Sequence, residues 1–262
     1  MKNHYVLRKI TRSLFFLSII LNSPVSWAQE YDATLHWYQK TELGTVVSGI
    51  VKNVYVNVGD IVKKGDKLLQ LDDSVSKAHV VEYRAKLQSA EEELKEAERE
   101  RDRALELYDR TVLSQHELQV AKNGYITAKA KYEKVKAAFA GKKFELKYST
   151  IRAPFDAVVL SRNAEPGQVI ATEFKQEPLV TVAAANRMLA TVLVTEDKLV
   201  SITKGKVATV TVSSKTYSGK VYSIGLELIA DKNGAKGYPV NIEFETKNVI
   251  LRSGQSAKVT LE

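Results

Sequence analysis

Along this chain the apolar positions switch from a period of two to heptads and back again. Between residues 31 and 72, Val54, Val56 and Val58 alternate with Tyr55 and Asn57, the pattern of a half-buried strand. Gly59-Asp60 and Lys64-Gly65-Asp66 read as turns, and Leu68, Leu69 and Leu71 as a short strand closing at Asp72-Asp73. From Ser74 to Lys147 there is no proline, and the only glycines are Gly124 and Gly141. Apolar or small residues then recur at alternating spacings of three and four. One series is Val80, Tyr83, Leu87, Ala90, Leu94, Ala97, Ala104 and Tyr108, interrupted at Arg101. The other is Leu118, Ala121, Tyr125, Ala128, Tyr132, Val135 and Phe139. Such heptads predict two helices sharing one seam.

Asp109–Leu113 is the stretch between them that can turn, and Ser114 with Glu117 forms a capping-box pattern opening the second helix. A short connection makes the helices antiparallel. The prediction is a hairpin of two helices, each roughly 30 residues or about 45 Å long. Its charged flank EEELKEAERERDR is read by default as a solvated coiled-coil surface.

Strand patterning returns at Ile151–Asp156 and Val158–Leu160. A weak repeat appears with it. Val51 precedes Gly59 by eight residues as Val159 precedes Gly167, a shift of 108, and LLQLD at 68–72 loosely matches LVTV at 179–182. Two similar halves on either side of a helical insertion suggest one small sandwich split by an excursion. Residues 186–262 offer strands at Met188–Val194, Lys206–Val212, Lys220–Ile224, Tyr238–Glu245 and Ser256–Leu261. Glu196–Ser201 is a short helix candidate, and Asp231–Gly234 a hairpin turn. This suits a small barrel.

Composition narrows the chemistry. The chain has 262 residues, 44% of them hydrophobic and 27% charged, as in a folded protein. The absence of cysteine excludes disulfides, thiolate metal sites and a thiol nucleophile. Lys2, Arg8, Lys9 and Arg12 precede the apolar run Ser13–Leu21, Pro24 and the small-residue pattern Ser26-Trp27-Ala28. This reads as a signal peptide, residues 1–28, cleaved after Ala28. Nine apolar residues are too few to cross about 30 Å of hydrocarbon as a helix. Cleavage takes four positive charges from the formal +8 and leaves +4. Export into the periplasm of a Gram-negative cell is the expectation.

The order of half-sandwich, hairpin, half-sandwich and barrel resembles the periplasmic adaptor proteins (membrane fusion or HlyD-like proteins) of tripartite efflux systems. The residues that carry the likeness are Ser48–Val51, Val58–Leu68 and Thr150–Asp156 followed by Val158-Val159. Ala157 stands where the family usually has glycine. The resemblance implies an elongated mixed α+β fold: a split lipoyl-like β-sandwich with an inserted antiparallel coiled-coil hairpin, followed by a small β-barrel. The expected division is 29–43 for a leading strand, 44–73 and 148–185 for the two lipoyl-like halves, 74–147 for the hairpin and 186–262 for the barrel. Because the chain stops at Glu262, the membrane-proximal domain of many members is expected to be absent.

Adaptors that dock TolC-type outer-membrane channels resemble one another in an Arg, a Leu four residues on and a Ser seven beyond. Arg103, Leu107 and Ser114 have that spacing here. The resemblance implies channel docking at the hairpin tip. Taken singly, Arg103 reads as a solvated charge, Leu107 as a seam residue and Ser114 as a helix cap. Docking to an inner-membrane transporter would fall to the barrel, with Lys232 and Lys236 as a candidate loop. An RND pump is favoured on the tip spacing, with an ABC exporter second. Six copies in a ring are implied by family analogy, and nucleic acid is not an expected partner.

True lipoyl domains carry a modified lysine on a tight turn, but here the hairpin occupies that turn and Lys77 opens a helix. No cofactor is expected. His36, His79 and His116 are scattered over three elements, and Met188 is the one methionine beyond the leader, so neither a catalytic nor a metal centre is expected. The chain is not expected to be an enzyme. The alternative from a different class is a soluble periplasmic binding or regulatory protein that reuses the adaptor fold.

Overall fold

The computed structural model describes residues 29–172, 178–230, 234–247 and 249–261. The expected signal peptide, residues 1–28, lies outside them, as does Lys232. In chain order the first elements are β1 (Gln29–Trp37), β2 (Lys40–Leu43), β3 (Gly49–Val54), β4 (Ile61–Val62), β5 (Lys67–Leu71), α1 (Ser74–Asp109) and α2 (Gln115–Tyr148). Then come β6 (Thr150–Arg152), β7 (Ala157–Arg162), β8 (Val169–Ile170) and β9 (Val180–Ala184). Last are β10 (Arg187–Val194), α3 (Glu196–Leu199), β11 (Val207–Val212), β12 (Lys215–Ile224), β13 (Ile229–Ala230), β14 (Lys236–Glu245) and β15 (Ser256–Leu261).

The sandwich is built from two four-stranded sheets, β2-β9-β7-β4 and β6-β5-β3-β8. Each sheet takes strands from both sides of the hairpin, and the repeat at a shift of 108 explains why. Gly59 N–H donates to Val159 O (2.9 Å), and Gly167 N–H donates to Val51 O (2.8 Å). Val159 N–H donates to Asp60 O, and Val51 N–H to Gln168 O. Ile61 pairs Val158 as Val169 pairs Ile50. Even the bulge repeats, between Val51 and Asn53 and between Val159 and Ser161. Each half therefore lends a turn and an edge strand to the other. Val51, Leu69, Leu71, Val159, Val180 and Val182 fill the shared core.

Those turns share one device. Gly59 and Gly167 sit at φ +93° and +89°, at the third position of turns closed by Asp60 N–H to Asn57 O and Gln168 N–H to Glu165 O. A type II turn demands positive φ there. The residue after glycine reaches back: Asp60 Oδ2 accepts Asn57 N–H (2.8 Å) and Gln168 Oε1 accepts Glu165 N–H (3.1 Å).

The barrel is closed by six strands, β10-β1-β15-β11-β12-β14, with β14 returning to β10 and β13 attached outside β14. Its first strand, β1, comes from ahead of the sandwich. Leu35, Met188, Val192, Val210, Ile242 and Val259 form its core. Two differences from the sequence reading arise here. β12 begins at Lys215, five residues before the expected Lys220, because Ser213 and Ser214 (φ +45° and +72°) turn directly out of β11. Two positive-φ residues make the type I′ hairpin that Asn-Gly usually signals, and Ser-Ser does not advertise it. The short helix ends at Leu199 instead of Ser201.

Candidate functional site: the hairpin and its tip

The helices run longer than expected, 36 and 34 residues, which is about 54 and 51 Å. Val80, Ala90, Ala104 and Leu118 are buried along the seam, and the other heptad positions of both series are half-buried, except Tyr108. Tyr108 is 39% exposed. It stands one residue before the end of α1, where no turn of α2 remains to cover it, while Leu105 and Leu107 are half-buried instead. Arg101 does not leave the seam. Its side chain is 23% exposed, its guanidinium lies 4.1 Å from the Tyr125 ring centroid, and Asp102 Oδ1 accepts from it at 2.6 and 2.8 Å. A cation over an aromatic face is a favourable way to seat a charge in an apolar seam.

Most charges on the flanks pair within their own helix, as in Lys86–Glu82, Lys95–Glu91 and Lys142–Glu145. Lys131–Glu93 (2.5 Å) crosses between helices, and that bond holds the Glu93 carboxyl below its usual range.

The root is tied into the sandwich. Asp72 Oδ1 accepts the N–H (3.1 Å) and hydroxyl (2.6 Å) of Ser74. Asp73 is buried and accepts from Gln70 Nε2 (3.0 Å) and Lys77 Nζ (2.9 Å). Burial pushes the Asp73 carboxyl up, but the bond and charge of Lys77 with the Gln70 bond outweigh it, so its pKa is lowered. Lys77 thus sits one turn into a helix with its amine on Asp73. At the exit, Leu71 N–H donates to Ser149 O and Thr45 Oγ1 to Tyr148 O.

At the tip the turn folds back on α1: Thr111 N–H donates to Tyr108 O and Val112 N–H to Leu107 O. Thr111 takes φ +58° to do so. The capping box forms in full. Ser114 Oγ accepts Glu117 N–H (3.3 Å), and Glu117 Oε2 accepts the N–H (2.9 Å) and hydroxyl (2.6 Å) of Ser114. These bonds hold the Glu117 carboxyl below its usual range. Arg103 is exposed and its ion pair among the described residues is with Glu100, one turn away (3.0 Å). Leu107, four residues on, is half-buried. Arg103 and Leu107 lie on one helix face, followed by the turn and exposed Ser114. An exposed i,i+3 pair holds Arg103 only weakly, leaving its guanidinium available for bidentate bonds to another molecule.

The sequence reading missed Val112, which is 71% exposed at the apex. An apolar residue inside a turn of four or five residues was the available signal. Lys236 lies at the opposite end of the molecule, exposed at the start of β14. No cluster of three or more metal-binding side chains occurs among the described residues. No helix among them is long and apolar enough to cross a membrane.

Comparison with known proteins bears on this architecture directly. The chain is 28% identical over 241 residues to the macrolide export protein MacA of Yersinia pestis, covering 86% of this chain and 65% of that protein. It is 25% identical over 221 residues to the nodulation protein NolF of Rhizobium meliloti, covering 82% of this chain and 58% of that one. The chain thus spans less than two thirds of the length of these curated relatives. Among solved structures, the membrane fusion protein Spr0693 of Streptococcus pneumoniae shares the fold at a TM-score of 0.65 and 16% identity, over 89% of this chain and 98% of that one. A MacA chimera carrying the Pseudomonas aeruginosa MexA α-hairpin shares it at 0.61 and 24%, over 89% and 81%. The model of the CzcB-like barrel-sandwich hybrid domain matches residues 40–184, more than half of the chain. Sandwich, inserted hairpin and family match agree, and the chain belongs to the CzcB-like barrel-sandwich hybrid family of membrane fusion, or periplasmic adaptor, proteins.

Proposed function

We propose that this protein is the periplasmic adaptor subunit of a tripartite efflux complex, linking an inner-membrane transporter to a TolC-type outer-membrane channel. The observation that carries the reading is the hairpin: two helices of more than 30 residues, rooted by both ends in the sandwich and carrying Arg103, Leu107 and Ser114 at the free tip. Arg103 offers a planar fork for carboxylate or carbonyl oxygens, Leu107 offers apolar contact, and Ser114 fixes the start of α2. The barrel end that carries Lys236, with Lys232 beside it in sequence, faces the transporter. An RND pump is the first choice and an ABC exporter the second. Six copies around the conduit are expected, with no catalytic step and no cofactor.

The test is photocrosslinking in whole cells from positions 107 and 232. Capture of an outer-membrane channel from the first and an inner-membrane transporter from the second supports the reading, and the captured transporter identifies its class. Arg103→Asp should abolish channel capture while leaving folding and export intact. Unchanged capture by that variant removes the tip from the mechanism. An abundant, folded protein that captures neither partner favours the soluble binding or regulatory role.

A further inference from the structure

The strand registers place α3 and the β12–β13 bend at one end of the barrel. β10 ends there at Val194, which pairs with Tyr238 near the start of β14. β12 ends there at Ile224, and β1 begins there at Gln29, which pairs with Leu261. β10 and β11 stand opposite each other in the six-stranded ring, so the connection through α3 crosses this end and closes it, with Ile202 buried beneath. The other end of the barrel meets the sandwich, where Thr246 N–H donates to Asn186 O and Ala185 N–H to Asp156 O. Beyond the sandwich lies the hairpin root, at Thr45 and Tyr148. The closed end is therefore the extremity opposite the hairpin tip.

That extremity is aliphatic. Leu226 is 93% exposed, Val200 89%, Leu228 56% and Ile229 42%. Large apolar side chains this exposed, gathered at one end, mark a contact surface. The set contains no Trp, Tyr or Arg, the residues that anchor protein–protein hot spots. It lies on the bend between β12 and β13 and on the end of α3, whereas a peptide or ligand is held in a groove. Lys198, Lys204, Lys206 and Lys236 share this part of the barrel with Glu196, Asp197 and Glu227, so among the described residues its charge is close to balance, with one positive charge in excess.

We propose that the closed end of the barrel seats on a lipid bilayer, with Val200, Leu226, Leu228 and Ile229 entering the boundary between headgroups and acyl chains. The proposal rests on the adaptor reading only in directing the hairpin toward the opposite membrane. Aliphatic insertion with so small a basic excess gives adhesion that does not depend on anionic lipid and is largely kept in salt.

The test is flotation of the protein, purified from the periplasm, with vesicles of phosphatidylcholine and phosphatidylethanolamine, its mass first establishing whether residues 1–28 are retained. Flotation at low and high salt is expected, with Leu226→Asp/Leu228→Asp binding about tenfold more weakly or worse and melting like the parent. The Leu226→Trp variant should show a blue-shifted emission quenched by brominated acyl chains. A protein without residues 1–28 that stays unbound, a double Asp variant that floats like the parent, or an indole at position 226 that is not quenched overturns the proposal. So does capture of a transporter from position 226 with no lipid binding, since the end is then a protein interface. Loss of channel capture at position 107 with flotation intact would count against the adaptor reading alone.

Discussion

Substituting alanine at Gly59 and at Gly167 tests the interlock of the two half-sandwiches. Both residues lie near φ +90°, and a Cβ built on either meets no atom within 4 Å. The cost is therefore conformational, not steric. Holding a non-glycine residue at positive φ costs ~1–2 kcal/mol. Alanine recovers ~0.4–1 kcal/mol by restricting the unfolded chain. The net loss is about 1 kcal/mol at each site, or a fall of roughly 2–4 °C in Tm. Because each N–H donates to the other half's strand, at Val159 and Val51, the two losses should match. The double variant should lose about 2 kcal/mol if the two turns act independently. Denaturant unfolding followed separately at sandwich and helix signals reads this out, and the helical signal should persist in the native state. Losses differing severalfold between the two sites, or no loss at either, would refute the claim that the repeat is energetically symmetric.

Alanine has the opposite effect at Gly124 and Gly141, which lie within α2 with no atom within 4 Å of an added Cβ. Each change should stabilise by about 0.8–1 kcal/mol, read by thermal melting at the helix signal. The Tyr217 hydroxyl is buried in the barrel with no hydrogen-bond partner among the described residues. Tyr217→Phe should therefore raise stability by about 1 kcal/mol in a denaturant titration, and a loss would show that the hydroxyl is satisfied. Asp73 has a depressed folded pKa, so its contribution is complete above the unfolded value of about 3.9 and is lost as pH falls through the folded one. Asp73→Asn should lower stability at neutral pH and flatten that acid limb. Arg101→Ala should weaken the hairpin by about 0.5–2 kcal/mol through the lost contact with Tyr125, and should do little in a Tyr125→Ala background.

What the sequence disclosed divides by the range of the interactions involved. The helices were legible because a seam repeats locally, and the seam positions from Leu118 to Phe139 are all half-buried or buried as the heptads predict. The capping box at Ser114 and Glu117 is likewise a contact over three residues. The exchange of turns between halves was visible only as a faint match of Val51 and Gly59 with Val159 and Gly167, because periodicity carries no information about which distant strand accepts an N–H. The start of β12 was hidden by a Ser-Ser turn, and Tyr108 was assigned to a seam that ends before it. The grouping of Arg103, Leu107 and Ser114 came from family resemblance. The aliphatic end of the barrel had no signal at all, since Val200 and Leu226 are ordinary apolar residues until the registers bring them to one end.

The way the hairpin is rooted makes its length an independent variable. Its two helices leave and re-enter the sandwich at neighbouring strands, β5 and β6, so the excursion closes on itself however far it extends. Adding one heptad to each helix preserves the seam register and moves the tip outward by about 10 Å. No bond at Asp72, Asp73, Thr45 or Ser149 changes. The molecule is in this sense an adjustable strut on a fixed mount, and its reach can be retuned by insertion or deletion in steps of seven residues per helix without redesigning either end.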